Sequence, residues 1–200
     1  MKGGTRGLVM QLCSDEKLNQ LVEDLQSGEP NGVERLSSLL QSYPDDPRIV
    51  FMMASMLASQ GDLVNAHKYF GRAIEIAPDL HIARFQFGLF QLTSGESNAA
   101  LKTWALLDTL PEGHYLKLFA TGLRHLIRDE FDDCVRLLQE GISVNDENLP
   151  LNGDMQMLID RCRDQLAVAP ENAVAEETSE EQSATSILLK QFGDGRTTRH

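Results

Sequence analysis

The side chains able to do chemistry in this 200-residue chain are few and scattered. His67, His81, His114 and His125 show no His-Glu-x-x-His or comparable ligand spacing, and no cysteine pair accompanies them, so no metal site is expected. Cys13, Cys134 and Cys162 are an odd number at wide spacings, which suits buried or incidental thiols rather than a disulfide or a zinc site. Asp129, Glu130, Asp132 and Asp133 gather four carboxylates, yet they lack the alternate-residue spacing and central glycine of a calcium loop. A solvated turn is the expectation there. The phrase Gly3-Gly4-Thr5-Arg6-Gly7 follows no strand and opens no helix, so it is not expected to cradle a phosphate. No nucleophile elbow, P-loop or kinase signature occurs. The expectation is a protein that is not an enzyme and takes no cofactor and no metal.

Composition narrows the partners. A formal net charge of −12 and a pI near 4.8 argue against nucleic acid, whose phosphates need clustered Lys and Arg. They disfavour acidic membrane surfaces for the same reason. No run approaches the roughly 18 apolar residues that span a bilayer. Gly7 to Cys13 is too short, and too polar at Gln11, for a secretory segment. A cytoplasmic protein is expected, and its 42% apolar content is enough for one elongated domain with a core.

The elements that would carry a function centre on Pro47 to Pro78. Ile49, Val50, Met53, Met56 and Leu57 recur at helical spacing, Gly61-Asp62 breaks the pattern, and Leu63, Ala66, Phe70, Ala73 and Ile74 resume it until Pro78 stops it. Two helices this short cannot bury both faces, so the hairpin must stack on copies of itself. Two successive shifts by a 34-residue period, without insertion or deletion, reproduce the pattern. Ala54, Gly88 and Gly122 align, as do Ala66, Ala100 and Cys134. Phe70, Trp104 and Leu138 align as the large residue of the second helix, with Ala73, Leu107 and Gly141 three positions on. The turn residue Gly61 recurs as Gly95 and becomes Asp129.

These positions resemble the tetratricopeptide repeat (TPR), over Pro47 to about Asn148. The resemblance implies an all-α helical-hairpin solenoid in which small residues permit close helix packing, the aromatic fills the gap between hairpins and proline closes each repeat. The expected organisation is a flexible N-terminal arm over 1–13, a degenerate first repeat over 14–46, three 34-residue repeats over 47–148, a C-terminal capping helix over 152–166 and a disordered acidic tail over 167–200. In the first repeat Ser14 is expected to cap a helix, and a second helix runs from Val33 to Ser42. Leu36, Leu39 and Pro44 there sit one repeat length before Phe70, Ala73 and Pro78. In the capping helix Met155, Leu158, Ile159, Cys162 and Leu166 form the apolar stripe.

In proteins of that family the first helix of each hairpin lines a concave groove. The resemblance places there Arg48, Ile82 and Leu116 in one row, Phe51, Phe85 and Phe119 in a second, and Ser55, Leu89 and Leu123 in a third. The rows are mostly apolar, so a clamp for a carboxylate is not expected. Two readings of the phenylalanines stay open: a peptide-binding groove, or ordinary core between adjacent hairpins. The tail carries one apolar island, Ile187, Leu188, Leu189 and Phe192, with the form of a segment that docks into an apolar groove. The functional expectation is a non-enzymatic adaptor or chaperone-like module that binds a peptide segment of a partner protein. The alternative is a scaffold that self-associates as a weak homo-oligomer with its groove idle.

Overall fold

The computed structural model describes residues 11–27 and 31–168, and these are helical with no strand among them. In chain order the helices are α1 (Asp15–Gln26), α2 (Gly32–Ser42), α3 (Pro47–Ser59), α4 (Leu63–Ile76), α5 (His81–Thr93), α6 (Ser97–Trp104), α7 (Tyr115–Leu126), α8 (Phe131–Val144) and α9 (Leu149–Val168). A short 3₁₀ turn, Ala105–Thr109, continues α6. The chain divides into two compact units, Met1–Ala83 and Arg84–His200. Of the flexible N-terminal arm expected over 1–13, residues 1–10 lie outside the described residues, whereas Cys13 is buried in the core of the first unit with its N–H and carbonyl bonded to Asp46 and Arg48. Of the tail expected over 167–200, Ala167 and Val168 belong to α9, and the rest, with the island Ile187 to Phe192, lies outside the described residues.

Helices α3, α5 and α7 begin at Pro47, His81 and Tyr115, and α4, α6 and α8 at Leu63, Ser97 and Phe131, each set at 34-residue intervals. The turns that stop the first helices recur as well, whereas among these helices side-chain caps are seen at the starts of α3, α4 and α7 only. Asp46 caps α3 by accepting the Arg48 N–H, with Pro47 at the first position, where a missing N–H costs nothing. Asp62 caps α4 through the Asn65 N–H, and His114 caps α7 through the Leu116 N–H. Each first helix ends in a left-handed residue: Gly61 at φ 80°, Gly95 at φ 83° and Asp129 at φ 58°. The following amide reaches back five residues in every case, Asp62 to Leu57, Glu96 to Gln91 and Glu130 to His125, at 3.0, 2.8 and 3.0 Å. Aspartate is among the few side chains that enter this conformation at modest cost, so the third turn closes without glycine.

In the first unit α1, α2 and α3 enclose a core of Cys13, Leu18, Leu21, Leu36, Ile49 and Met53. A second cluster joins Val50, Ala73 and Ala83. Helix α2 begins at Gly32, one residue before the expected Val33, and a Cβ at Gly32 would press on Leu25 of α1 at 2.9 Å. Ser14 occupies the N-cap of α1, but its side chain makes no cap hydrogen bond, contrary to expectation. Asp15 and Glu16 in the first turn complement the helix dipole instead.

In the second unit α7 packs on α8 and α8 on α9. The last helix runs over Leu149–Val168 rather than 152–166, so Asn152-Gly153-Asp154 lies within it and not before it. Two features move its start. Pro150 is tolerated in a first turn, and the Asn145 side chain accepts the Asn148 N–H at 3.0 Å while donating to the Asn148 carbonyl and to Asn152 Oδ1. Met155, Leu158, Ile159 and Cys162 are fully buried and Leu166 is half-buried.

Candidate interaction surface

The nine residues of the three rows do not share one environment. Phe85, Leu89, Leu116, Phe119 and Leu123, all in the second unit, are buried, with at most 2% of their surface exposed. Arg48, Phe51, Ser55 and Ile82, all in the first unit, are half-buried. The continuous three-hairpin groove lined by all nine is therefore corrected: five of its residues present no surface.

The reason lies in what faces each phenylalanine. Phe85 stacks on Trp104 with ring centroids 6.2 Å apart, and Phe119 packs on Phe85 at 6.0 Å and edge-on to Tyr115 at 5.9 Å. Gly88 and Gly141 make room for this cluster. A Cβ at Gly88 would overlap the Trp104 indole, and one at Gly141 would overlap the Phe119 ring. The indole lies close enough to α5 for Nε1–H to donate to the Phe85 carbonyl at 3.0 Å. Phe51 meets a different surface: its ring is tilted 52° to Phe70 at 6.1 Å, and the position that corresponds to Gly141 is Ala73, which carries a Cβ.

Arg48 is spent on structure. Its Nε and one NH2 donate to the two Asp46 carboxylate oxygens at 3.0 and 2.8 Å, that nitrogen also donates to the Cys13 carbonyl at 2.7 Å, and the other donates to Asp15 at 2.6 Å. Asp46, fully buried, also accepts the Cys13 N–H at 2.8 Å. Burial of the Asp46 carboxylate opposes ionisation, but its bonds to Arg48 and Cys13 outweigh this and hold it below the ordinary carboxylate range. The Asp46 hydrogen bond raises Arg48 above its usual value. The pair ties the segment before α1 to the start of α3, a contact 33 residues apart in sequence. Nothing in local periodicity announces it; the only sequence signal is a charged residue on either side of Pro47.

What remains partly accessible on α3 is apolar and sulfur-rich, although Met52 and Met56 also pack against the core of α1 to α3 and Phe51 against the cluster of Val50, Ala73 and Ala83. Phe51, Met52, Ser55 and Met56 are each half-buried, with the Ser55 hydroxyl turned back to the Phe51 carbonyl at 3.2 Å. The acidic cluster of the third hairpin is accounted for locally: Glu130 pairs with His125 Nδ1 at 2.6 Å, and Asp133 with Arg136 at 2.8 Å. Arg136 holds the Asp133 carboxyl below its usual range. No three His, Cys, Asp or Glu side chains among the described residues converge as metal ligands. No helix among them is long and apolar enough to cross a membrane. Cys13, Cys134 and Cys162 are free and buried, but Cys134 and Cys162 lie side by side, with Sγ atoms 3.9 Å apart. Sequence reasoning does not reach that pairing, because the two thiols stand far apart along the chain. No protein-family model matches the chain, and no curated protein matches it.

Proposed function

We propose that the chain is a non-enzymatic protein-interaction module of the tetratricopeptide-repeat type, adaptor or chaperone-like, working in the cytoplasm without cofactor or metal. The 34-residue spacing of helix starts and of left-handed turns supports the repeat reading. The observation that carries the functional reading is the open strip of α3: Phe51, Met52, Ser55 and Met56 are left half-exposed where the aligned residues of later hairpins are mostly sealed. Unbranched thioethers beside an aromatic ring suit an apolar peptide segment, because methionine adapts its shape to what it meets. The Arg48 guanidinium is engaged by Asp46, Asp15 and the Cys13 carbonyl, so the bound segment is held by apolar contact and not by its terminal carboxylate.

The test is affinity capture with the intact chain, followed by titration of the captured partner's segment against wild type and Phe51→Glu. A loss of at least about tenfold, some 1.4 kcal/mol, with unchanged helical signal is expected. Unchanged affinity would remove α3 from the site. A second reading, self-association with the strip idle, draws on Val144, Leu149 and Met157, which are 48, 64 and 38% exposed in the second unit. Light scattering at two concentrations separates the two: a concentration-dependent mass favours self-association.

A further inference from the structure

Cys134 on α8 and Cys162 on α9 are both fully buried, their sulfurs 3.9 Å apart, while Cys13 sits in the core of the other unit. We propose that Cys134 and Cys162 are a modification site: a thiol pair that peroxide converts into a disulfide, fastening α9 to α8. Three features make the pair more than two incidental thiols. The two sulfurs are already in contact, so bond formation requires an approach from 3.9 Å to about 2.05 Å. They join successive elements that pack together, so a covalent link would constrain a helix pair already formed. They are also chemically unequal. The hydrogen bond between the two sulfurs, reinforced by burial, pushes the Cys134 thiol up, and the same contact draws Cys162 down. The thiolate is the attacking form, and Cys162 is the one favoured to supply it.

The Cys162 thiolate attacks one oxygen of hydrogen peroxide, the O–O bond breaks, and hydroxide leaves and takes up the Cys162 proton as water. The product is a sulfenic acid on Cys162. The Cys134 sulfur then attacks that sulfenic sulfur, the S–O bond breaks, and the departing hydroxide takes the Cys134 proton as a second water. Two thiols are oxidised to one disulfide, and one peroxide is reduced to two waters. Peroxide is close to water in size, so brief local opening of the α8 and α9 contact admits it. Cys134 aligns with Ala66 and Ala100, so Cys134→Ala inserts the residue that the other hairpins already carry.

The experiment uses the intact, fully reduced chain, treated with hydrogen peroxide, then alkylated under denaturing conditions, digested and weighed by mass spectrometry. The expected result is one cross-linked peptide joining Cys134 to Cys162, released by a thiol reductant, with Cys13 alkylated. Cys134→Ala should leave Cys162 as a sulfenic acid that a dimedone probe traps, with no cross-link. Full alkylation of Cys134 and Cys162 after treatment, a cross-link that includes Cys13, or sulfinic acid on Cys162 without a cross-link would each overturn the proposal. The wild-type measurement decides the matter even if a variant fails to fold.

Discussion

The first and third hairpins set out from matching patterns and end in opposite states. Phe51 on α3 and Phe119 on α7 occupy corresponding positions two 34-residue intervals apart, yet Phe51 is half-buried and Phe119 is sealed. The difference comes from the residues opposite. Gly141 lacks the Cβ that would block the Phe119 ring, whereas Ala73 at the corresponding position carries one. The same exchange runs through the other close contact, where Gly88 accepts the large Trp104 while Ala54 is matched by the smaller Phe70. Helix separation is thus set by pairs, and a small residue on one helix licenses a large one on its partner. A row read from one helix alone cannot tell groove from core, because the deciding atom belongs to the other helix.

The largest break in this comparison comes from Trp104. Truncating it to Ala removes a fully buried indole and its bond to the Phe85 carbonyl, and should cost about 3 to 5 kcal/mol in equilibrium unfolding of the intact chain. A loss near zero would mean that the indole is not the keystone of the Phe85 and Phe119 cluster.

The complementary change adds an atom instead of removing one. Gly88→Ala places a methyl group in the indole and should cost about 1 to 3 kcal/mol. Gly71→Ala on α4, where nothing lies within 4 Å, should instead gain up to about 1 kcal/mol from helix propensity. Melting curves that show the two alanines acting alike would contradict the close approach assigned to Gly88.

A smaller effect is the pH dependence that Asp46 gives the first unit. Asp46 has a folded pKa held below its ordinary value of 3.8. Its contribution is present above that value and is lost as pH falls below 3.8 through the folded pKa. Asp46→Asn should cost about 1 to 2 kcal/mol at neutral pH, and denaturant midpoints of wild type and variant should converge in that acid range. A gap that stays constant from neutral pH down through the acid range would show that the carboxylate charge contributes nothing.

How much of this is legible in the sequence follows from the range of each interaction. The hairpins over Pro47 to Val144 are readable, because helix period, turn residues and small positions all repeat within one hairpin length. Gly32 carries the same signal, lying one repeat length before Ala66, but its neighbours Gly28, Pro30 and Asn31 give the segment the composition of a loop. The start of α9 at Leu149 is concealed because Asn152-Gly153-Asp154 looks like a helix boundary, and the Asn145 side chain that caps the earlier start acts across a turn. The Asp46, Arg48 and Cys13 clamp and the Cys134 and Cys162 pair join residues 28 to 35 positions apart. No periodic pattern encodes such contacts. The site is half legible: spacing finds Phe51 and Ser55 of the open strip, but closure at Phe85, Leu89, Leu116, Phe119 and Leu123 depends on packing partners that spacing does not name.

The most direct measurement is equilibrium unfolding of Phe51→Glu beside Phe119→Glu, followed by circular dichroism and read against wild type. The open strip of α3 can turn a carboxylate to water, whereas the site of Phe119 cannot. Phe51→Glu should therefore fold with a loss under about 1.5 kcal/mol, and Phe119→Glu should lose at least about 3 kcal/mol or fail to fold. Equal losses at the two positions would contradict the claim that the first hairpin presents a binding surface which the third has sealed.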